Sequence, residues 1–359
     1  MIYLDHAATT PICDAAKKVI IEHLDDYGNP SSSYEFGHKS LMLIEDARER
    51  IAKCINAEPN EIYFTSGGSE ANTWALRNRH TIATNIEHHS IKSTHPDDSI
   101  KVNKYGVAEL QSFNNMDEWY YRLISCMYVN NEIGIIQPVK EISEIAHKKS
   151  MLFHIDAVQA VGHIPIDVKE LDVDMLSGSG HKFGAPKGVG FLYVKNGIKT
   201  HSLIYGGKQE QGIRGGTENV LGIIAMAAAL EDSVINMKER NKHIYNLRRK
   251  LLHQMLCIPE VYLNGSLSNR VGSNINVRIK GVKGQNVVAM ADQYGICISA
   301  GSACNEGNAE PSHVLKAIGL TDEEALSSIR ITLGHENTEE EIDYCCDIFP
   351  KIINRLRTI

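Results

Sequence analysis

Short apolar runs separated by helical stretches constrain this chain more than anything else in it. Thr81 to Ile86, Leu123 to Val129, Leu152 to Ile155, Asp174 to Leu176 and Gly190 to Val194 each have the length and composition of a strand. Helical segments, notably Val139 to Lys149, separate several of them. That alternation predicts an α/β domain with a mainly parallel sheet. In such sheets the chemistry collects beyond the carboxyl ends of the strands. The residues with the most chemical character obey that rule: His88, Asn130-Asn131, Asp156 and Lys182 each follow a different strand. Loops far apart in sequence therefore converge on one sheet edge.

Lys182 closes the run Leu176-Ser177-Gly178-Ser179-Gly180-His181-Lys182. A lysine held just past a buried strand loses its proton readily, because burial disfavours the ammonium. The neutral amine is a nucleophile able to form a Schiff base with a carbonyl cofactor. Ser179 and His181 are placed to hold an anionic group of that cofactor, such as a phosphate. The strand Glu61 to Phe64 runs through Thr65-Ser66-Gly67-Gly68-Ser69-Glu70-Ala71-Asn72 into a helix starting near Ser69. Free N–H groups and the dipole at such a start attract phosphate; an ordinary strand-to-helix turn has the same composition. Asp156, which ends Phe153-His154-Ile155, needs a partner if buried. A pyridinium N–H suits it, and so does a helix N-terminus in need of a cap; Gln159 serves either arrangement. His88-His89, with His95 nearby, lacks the Cys or carboxylate companions of a metal site, so no metal is expected. Cys304 differs from the other cysteines, sitting between Ser299 and Ser312 among small, polar and glycine residues. A thiol in such a loop can reach a substrate.

The rest reads as scaffold. Asp14 to Leu24 and Leu41 to Ile55 carry apolar residues at helical spacing, with a loop over Gly28 to Ser33 between them. Gly206 to Thr217 is a glycine-rich, polar, exposed loop, and a helical region follows from Asn219 to about Leu256. Its charged half, Lys238 to Lys250, is expected to be a solvated face joining a large domain (14–245) to a small one (1–13 and 246–359). In the small domain, strands Ser273 to Val277, Ile296 to Ser299 and Ile329 to Leu333 alternate with helices. The last helix opens on the capping box Thr338-Glu339-Glu340-Glu341. Cys345 and Cys346 fall on its apolar stripe, and Pro350 should kink or interrupt it. A net charge of −7 over 359 residues offers no general attraction to nucleic acid or anionic membrane. The longest apolar run, Val220 to Leu230, is too short to span a bilayer. Met1 to Asp5 shows no secretory signal. Eight cysteines without a Cys-x-x-Cys fit a reducing, cytoplasmic setting.

Ten blocks, taken in order, carry a resemblance: Leu4 to Pro11, Gly28 to Ser32, Phe64 to Glu70, Glu87-His88 and Val129 to Gly134. His154 to Gln159, Ser177 to Lys182, Arg214 to Asn219, Gly301 to Cys304 and Ser328 to Arg330 complete the series. Together they resemble the cysteine desulfurases of the NifS/IscS class over nearly the whole chain. The resemblance implies the aspartate-aminotransferase-like fold (type I) of pyridoxal-phosphate enzymes. That fold is α/β, with a mainly parallel seven-stranded sheet in the large domain and a smaller α/β domain. On this resemblance Lys182 carries pyridoxal 5'-phosphate, Asp156 keeps the ring nitrogen protonated, and Gln159 and Asn131 lie near the ring hydroxyl. His88 stacks on the ring and moves protons. Gly68, Ser69, Ser179 and His181 hold the phosphate with Thr217 of the partner subunit, which implies a homodimer. Arg330, with Asn131, binds the substrate carboxylate. The implied reaction turns L-cysteine into L-alanine and a persulfide on Cys304, from which a sulfur-acceptor protein collects the sulfur. A selenocysteine lyase or another class V aminotransferase is the rival enzyme, and a cofactor-free scaffold the rival of another class. Asn305-Glu306-Gly307 departs from the small hydroxyl residues often found after the family's cysteine, which bears on the acceptor. The chain is also short between Trp74 and Thr81, and it stops at Ile359. Housekeeping members dock an iron–sulfur scaffold through an extended C-terminal tail. A dedicated sulfur donor, for tRNA thiolation or DNA phosphorothioation for example, is therefore expected.

Overall fold

The computed structural model describes residues 1–113, 116, 120–300 and 310–358. A short strand, β1 (Ile2–Tyr3), precedes the strands of the large sheet. These are β2 (Ile62–Thr65), β3 (Thr81–Thr84), β4 (Asp98–Ile100), β5 (Leu123–Met127), β6 (Leu152–Asp156), β7 (Met175–Ser179) and β8 (Gly190–Val194). They lie in the order β2-β8-β7-β6-β5-β3-β4, and β8 is antiparallel to both neighbours while the other pairs are parallel. Every residue of β3, β5, β7 and β8 is buried. Both faces of a mainly parallel sheet are covered, so its strands read as mostly apolar runs, and the buried Ser125, His154 and Ser177 hydrogen-bond one another across them.

Side chains still alternate between the two faces. Leu123, Met175 and Leu192 pack with Ala71 and Trp74 of the Gly68–Leu76 helix. Ile124, Leu176, Phe191 and Tyr193 join the other core, with residues of the helices Asp14–Glu22, Glu35–Cys54 and Val220–Cys257. The Glu35–Cys54 helix begins before its apolar periodicity does, because its first turns are held by close packing. A Cβ on Gly37 would lie 2.6 Å from the Asn29 carbonyl oxygen.

A second core contains Leu4, Ile244, Leu247, Leu251, Leu252 and Met255, together with β9 (Val261–Leu263) and β10 (Asn274–Ile279). The segment read as one strand from Ile296 to Ser299 breaks at Ile298 into β11 (Ile296–Cys297) and β12 (Ser299–Ala300). β11 pairs with β1, whereas β12 joins the antiparallel sheet β12-β13-β10-β9 through β13 (Ser328–Thr332). The charged half of the Val220–Cys257 helix is not simply a solvated face. Ile244, Leu247 and Arg248 are buried, and Arg248 Nε donates to the Asn274 carbonyl at 2.7 Å. By length and composition this 38-residue helix could cross a membrane, contrary to the reading of its apolar run alone. Here Gly222 to Leu230 are buried inside the protein.

The C-terminal helix, Glu339–Arg357, continues through Pro350, so no interruption occurs there. Ile342, Cys345, Phe349, Ile352 and Ile353 are all buried, and packing of that stripe outweighs one missing donor. The Thr338 capping box forms. The Gly206–Thr217 loop is exposed only in part. Glu210 is buried within it, bound by both terminal nitrogens of Arg48 at 2.9 Å.

Candidate active site

A cavity of about 440 Å³ opens where β6 and β7 end in Asp156 and Ser179. Gly68, Ser69, His88, Asn131, Asp156, Gln159, Ser179, His181 and Lys182 all line it. The strand-end rule thus brings together residues spread over more than a hundred positions.

Lys182 Nζ donates to the carbonyls of Ala7 and Ala8, each at 2.7 Å. Burial and the nearby Arg330 charge push its amine down to about 8, against the pull of Asp5 and Asp156. Asp156 is followed by a turn and not by a helix, so what it caps is a turn. Its Oδ1 accepts from the Val158 N–H at 3.0 Å, capping the turn that follows, while Oδ2 accepts from Asn72 Nδ2 at 2.7 Å. Burial pushes this carboxyl up, opposed by the Val158 bond, His88, the Asn72 bond and Lys182. The Gln159 amide donates to the Ala7 carbonyl at 2.9 Å, tying the N-terminal segment to the same wall.

The His88 ring is open to the cavity. The Ser90 N–H donates to its Nδ1 at 3.1 Å, which leaves Nε2 to carry the proton of the neutral ring. Partial desolvation by the cavity walls lowers its pKa; Asp156 opposes this, and Lys182 and His89 reinforce it. Asn72 Nδ2 donates to Ser90 Oγ at 2.9 Å as well as to Asp156, so one amide links the histidine's support to the carboxylate. Neither Asn72 nor Ser90 stood out in the sequence. One signal was available: Asn72 lies one turn beyond Gly68 on the same helix face, where a buried amide needs polar partners.

The helix at the cavity floor starts at Gly68, and Gly67 before it has φ +152°, a conformation that glycine adopts without strain. A Cβ on Gly68 would sit 2.5 Å from Val158 Cγ2, so only glycine leaves this backbone open to close approach. His181, hydrogen-bonded to Thr9 Oγ1 at 3.1 Å, is pushed down to about 4 by burial and by Lys182 and Lys187. It is therefore a neutral donor at pH 7. Glu70 accepts the Ser66 N–H at 2.8 Å and two Arg214 N–H bonds at 2.9 and 3.1 Å, which anchors the Arg214-Gly215-Gly216-Thr217 segment.

Two of the expected residues lie off this cavity. Thr217 is exposed and lines no part of the cavity in its own chain. Arg330 is buried on β13, just behind Asn131: its Nη1 donates to the Asn131 carbonyl at 3.1 Å and its Nη2 to Asp5 Oδ1 at 2.8 Å. Cys304 lies outside the described residues. Downstream of it, Ser312 Oγ bonds the buried Glu132 carboxyl, next to Asn131. Among the described residues no group of three or more His, Cys, Asp or Glu is arranged to hold a metal ion.

The model of the aminotransferase class V family matches residues 2–345. The chain is 43% identical to the cysteine desulfurase IscS of Clostridium botulinum over 381 aligned positions, which cover 99% of this chain and 95% of that one. It belongs to the cysteine desulfurases of class V. A solved NifS-like protein superposes with a TM-score of 0.92 at 34% identity, covering 99% of both chains. SspA, solved in complex with cysteine, superposes with a TM-score of 0.83 at 31% identity, over 94% of this chain and all of that one. Cysteine desulfurases depend on pyridoxal phosphate, and the cavity of this one fits it. The buried Asp156 carboxylate, at the end of β6 and lining the cavity, would suit a protonated ring nitrogen. The open backbone at Gly67-Gly68, the helix start and the neutral His181 suit a phosphate. Lys182 supplies an amine that is partly neutral at physiological pH.

Proposed function

We propose that this protein takes the sulfur of L-cysteine onto Cys304 and releases L-alanine. The observation that carries the proposal is the single cavity holding a lysine amine lowered to about 8, a fully buried carboxylate and a histidine with its Nε2 proton available. Bound pyridoxal phosphate supplies an electron sink for the substrate carbon. Lys182 anchors its aldehyde, Asp156 holds the ring nitrogen in its protonated form, and Gln159 and Asn131 orient the ring oxygen. Gly68, Ser69, Ser179 and His181 bind its phosphate, with Thr217 of the partner subunit closing that cradle in a homodimer. Arg330 and Asn131 bind the substrate carboxylate through hydrogen bonds from a planar, permanently charged group.

Lys182 Nζ would take and return the Cα proton of the bound substrate. His88 Nε2 serves as the acid or base beside it. The Cys304 thiolate attacks the substrate sulfur: an S–S bond forms, the substrate C–S bond breaks, and its electron pair stays with the carbon skeleton that becomes alanine. A thiol on an acceptor protein then removes the sulfur from Cys304. The two cores support a large domain of residues 14–245 and a small one of 1–13 and 246–359. The seven described cysteines, all unpaired, fit work in the cytoplasm.

Mass spectrometry after exposure to L-cysteine tests this directly. One extra sulfur on Cys304 is expected, and Cys304→Ala should keep the cofactor's colour while losing sulfide release. Unchanged turnover by Cys304→Ala would remove the nucleophile from the proposal. A single modification enzyme recovered by pull-down supports a dedicated donor, whereas tight binding to an iron–sulfur scaffold counts against it.

A further inference from the structure

Arg330 is not an isolated cation. It lies almost wholly buried on β13, with Nη1 on the Asn131 carbonyl and Nη2 on Asp5 Oδ1 at 2.8 Å. Its Nε is buried with no hydrogen-bond partner among the described residues. A buried N–H without an acceptor is costly unless a ligand supplies one. Asp5 is held in register by its bridge to Thr332 and by the Thr332 N–H bond to the Leu4 carbonyl, so its carboxylate is fixed against the guanidinium. Glu132 is the other acid acting on this group, but its carboxyl is pushed up to about 7 by burial and is engaged by Ser312. Asp5 is therefore the principal counter-charge, and the Nε N–H is left without a partner among the described residues.

We propose that Asp5 is the specificity-determining partner of Arg330: it compensates the guanidinium charge so that simple carboxylates bind poorly. The unpartnered Nε–H then donates only to a carboxylate delivered by an amino acid that other parts of the site also capture. An uncompensated buried guanidinium would bind any small anion that reached it. Compensation also eases departure of the product carboxylate, because Asp5 remains paired with Nη2 when the ligand leaves. This inference rests on Arg330 being the substrate-carboxylate residue, as proposed above.

The test is Asp5→Asn, which keeps an acceptor oxygen for Nη2 and removes only the charge, with propionate as the probe. Competitive inhibition of L-cysteine turnover by propionate should tighten on the order of tenfold. In the apoprotein, propionate should raise the unfolding temperature of Asp5→Asn more than that of the wild type. Both effects should vanish in the Asp5→Asn/Arg330→Ala double variant. If propionate acts equally on wild type and Asp5→Asn while Arg330→Ala raises the KM for L-cysteine, the role given to Asp5 is wrong and that of Arg330 stands. If Arg330→Ala leaves that KM unchanged, the carboxylate reading fails, and this inference with it.

Discussion

The lowered amine of Lys182 makes the most direct demand on experiment. Burial and Arg330 bring it to about 8, although Asp5 and Asp156 pull the other way. Only the neutral amine attacks an aldehyde. With a midpoint near 8, roughly one tenth of Lys182 is neutral at pH 7, against about one part in three thousand for an ordinary lysine. The advantage is on the order of 300-fold at pH 7, and it shrinks as pH rises past the midpoint. Capture of pyridoxal phosphate by apoprotein, followed by stopped-flow absorbance, should therefore accelerate about fifty-fold between pH 6 and pH 8 and level off above pH 9. Arg330→Gln removes a charge that lowers the amine, so its midpoint should move up; Asp5→Asn removes one that raises it, so its midpoint should move down. A wild-type rate that keeps climbing tenfold per pH unit beyond pH 9.5 would mean that the cavity does nothing to this lysine.

Two further perturbations follow from packing. Glu210→Ala removes the closer of the two carboxylates on the buried Arg48 guanidinium, leaving Glu45 at 3.3 Å and the Ile62 carbonyl, and strands the Phe64 N–H that Glu210 also accepts at 2.8 Å. It should cost about 3–5 kcal/mol in urea unfolding, and Arg48→Met in the same chain should recover most of that. Gly68→Ala drives a methyl into Val158 Cγ2. Cofactor retention should weaken on the order of tenfold by fluorescence titration, with Val158→Ala restoring it; retention unaffected by Gly68→Ala would show that this backbone needs no clearance.

What could be read in advance was whatever local chemistry encodes. The strands announced themselves because burial on both faces favours apolar residues on both, as in Gly190–Val194 and, but for Ser125, Leu123–Met127. His88, Asp156 and Lys182 were legible because parallel topology places strand ends together whatever the intervening chain does. Pairings between distant elements were not legible. Arg248 looked like one more charge on a solvated helix, and only the approach of the Asn274 carbonyl shows why it is inside. Arg48 with Glu210, and Asn72 with Ser90, are likewise meetings that no spacing along the chain predicts.

The N-terminal segment makes the same point with functional weight. Leu4 packs into the second core, Asp5 holds Arg330, Ala7 and Ala8 accept the Lys182 amine, and Thr10 bonds the His181 carbonyl. Seven consecutive residues thus join the second core to both cationic groups of the site. The small sheet is tied to the site by this stretch, by the Arg330 bond to the Asn131 carbonyl, and by the Asn274 and Asn276 amides on the Glu132 carbonyl. Residues 4–10 therefore contact both Arg330, the proposed carboxylate-binding residue, and Lys182, the proposed cofactor-binding one, and help to set the spacing between them.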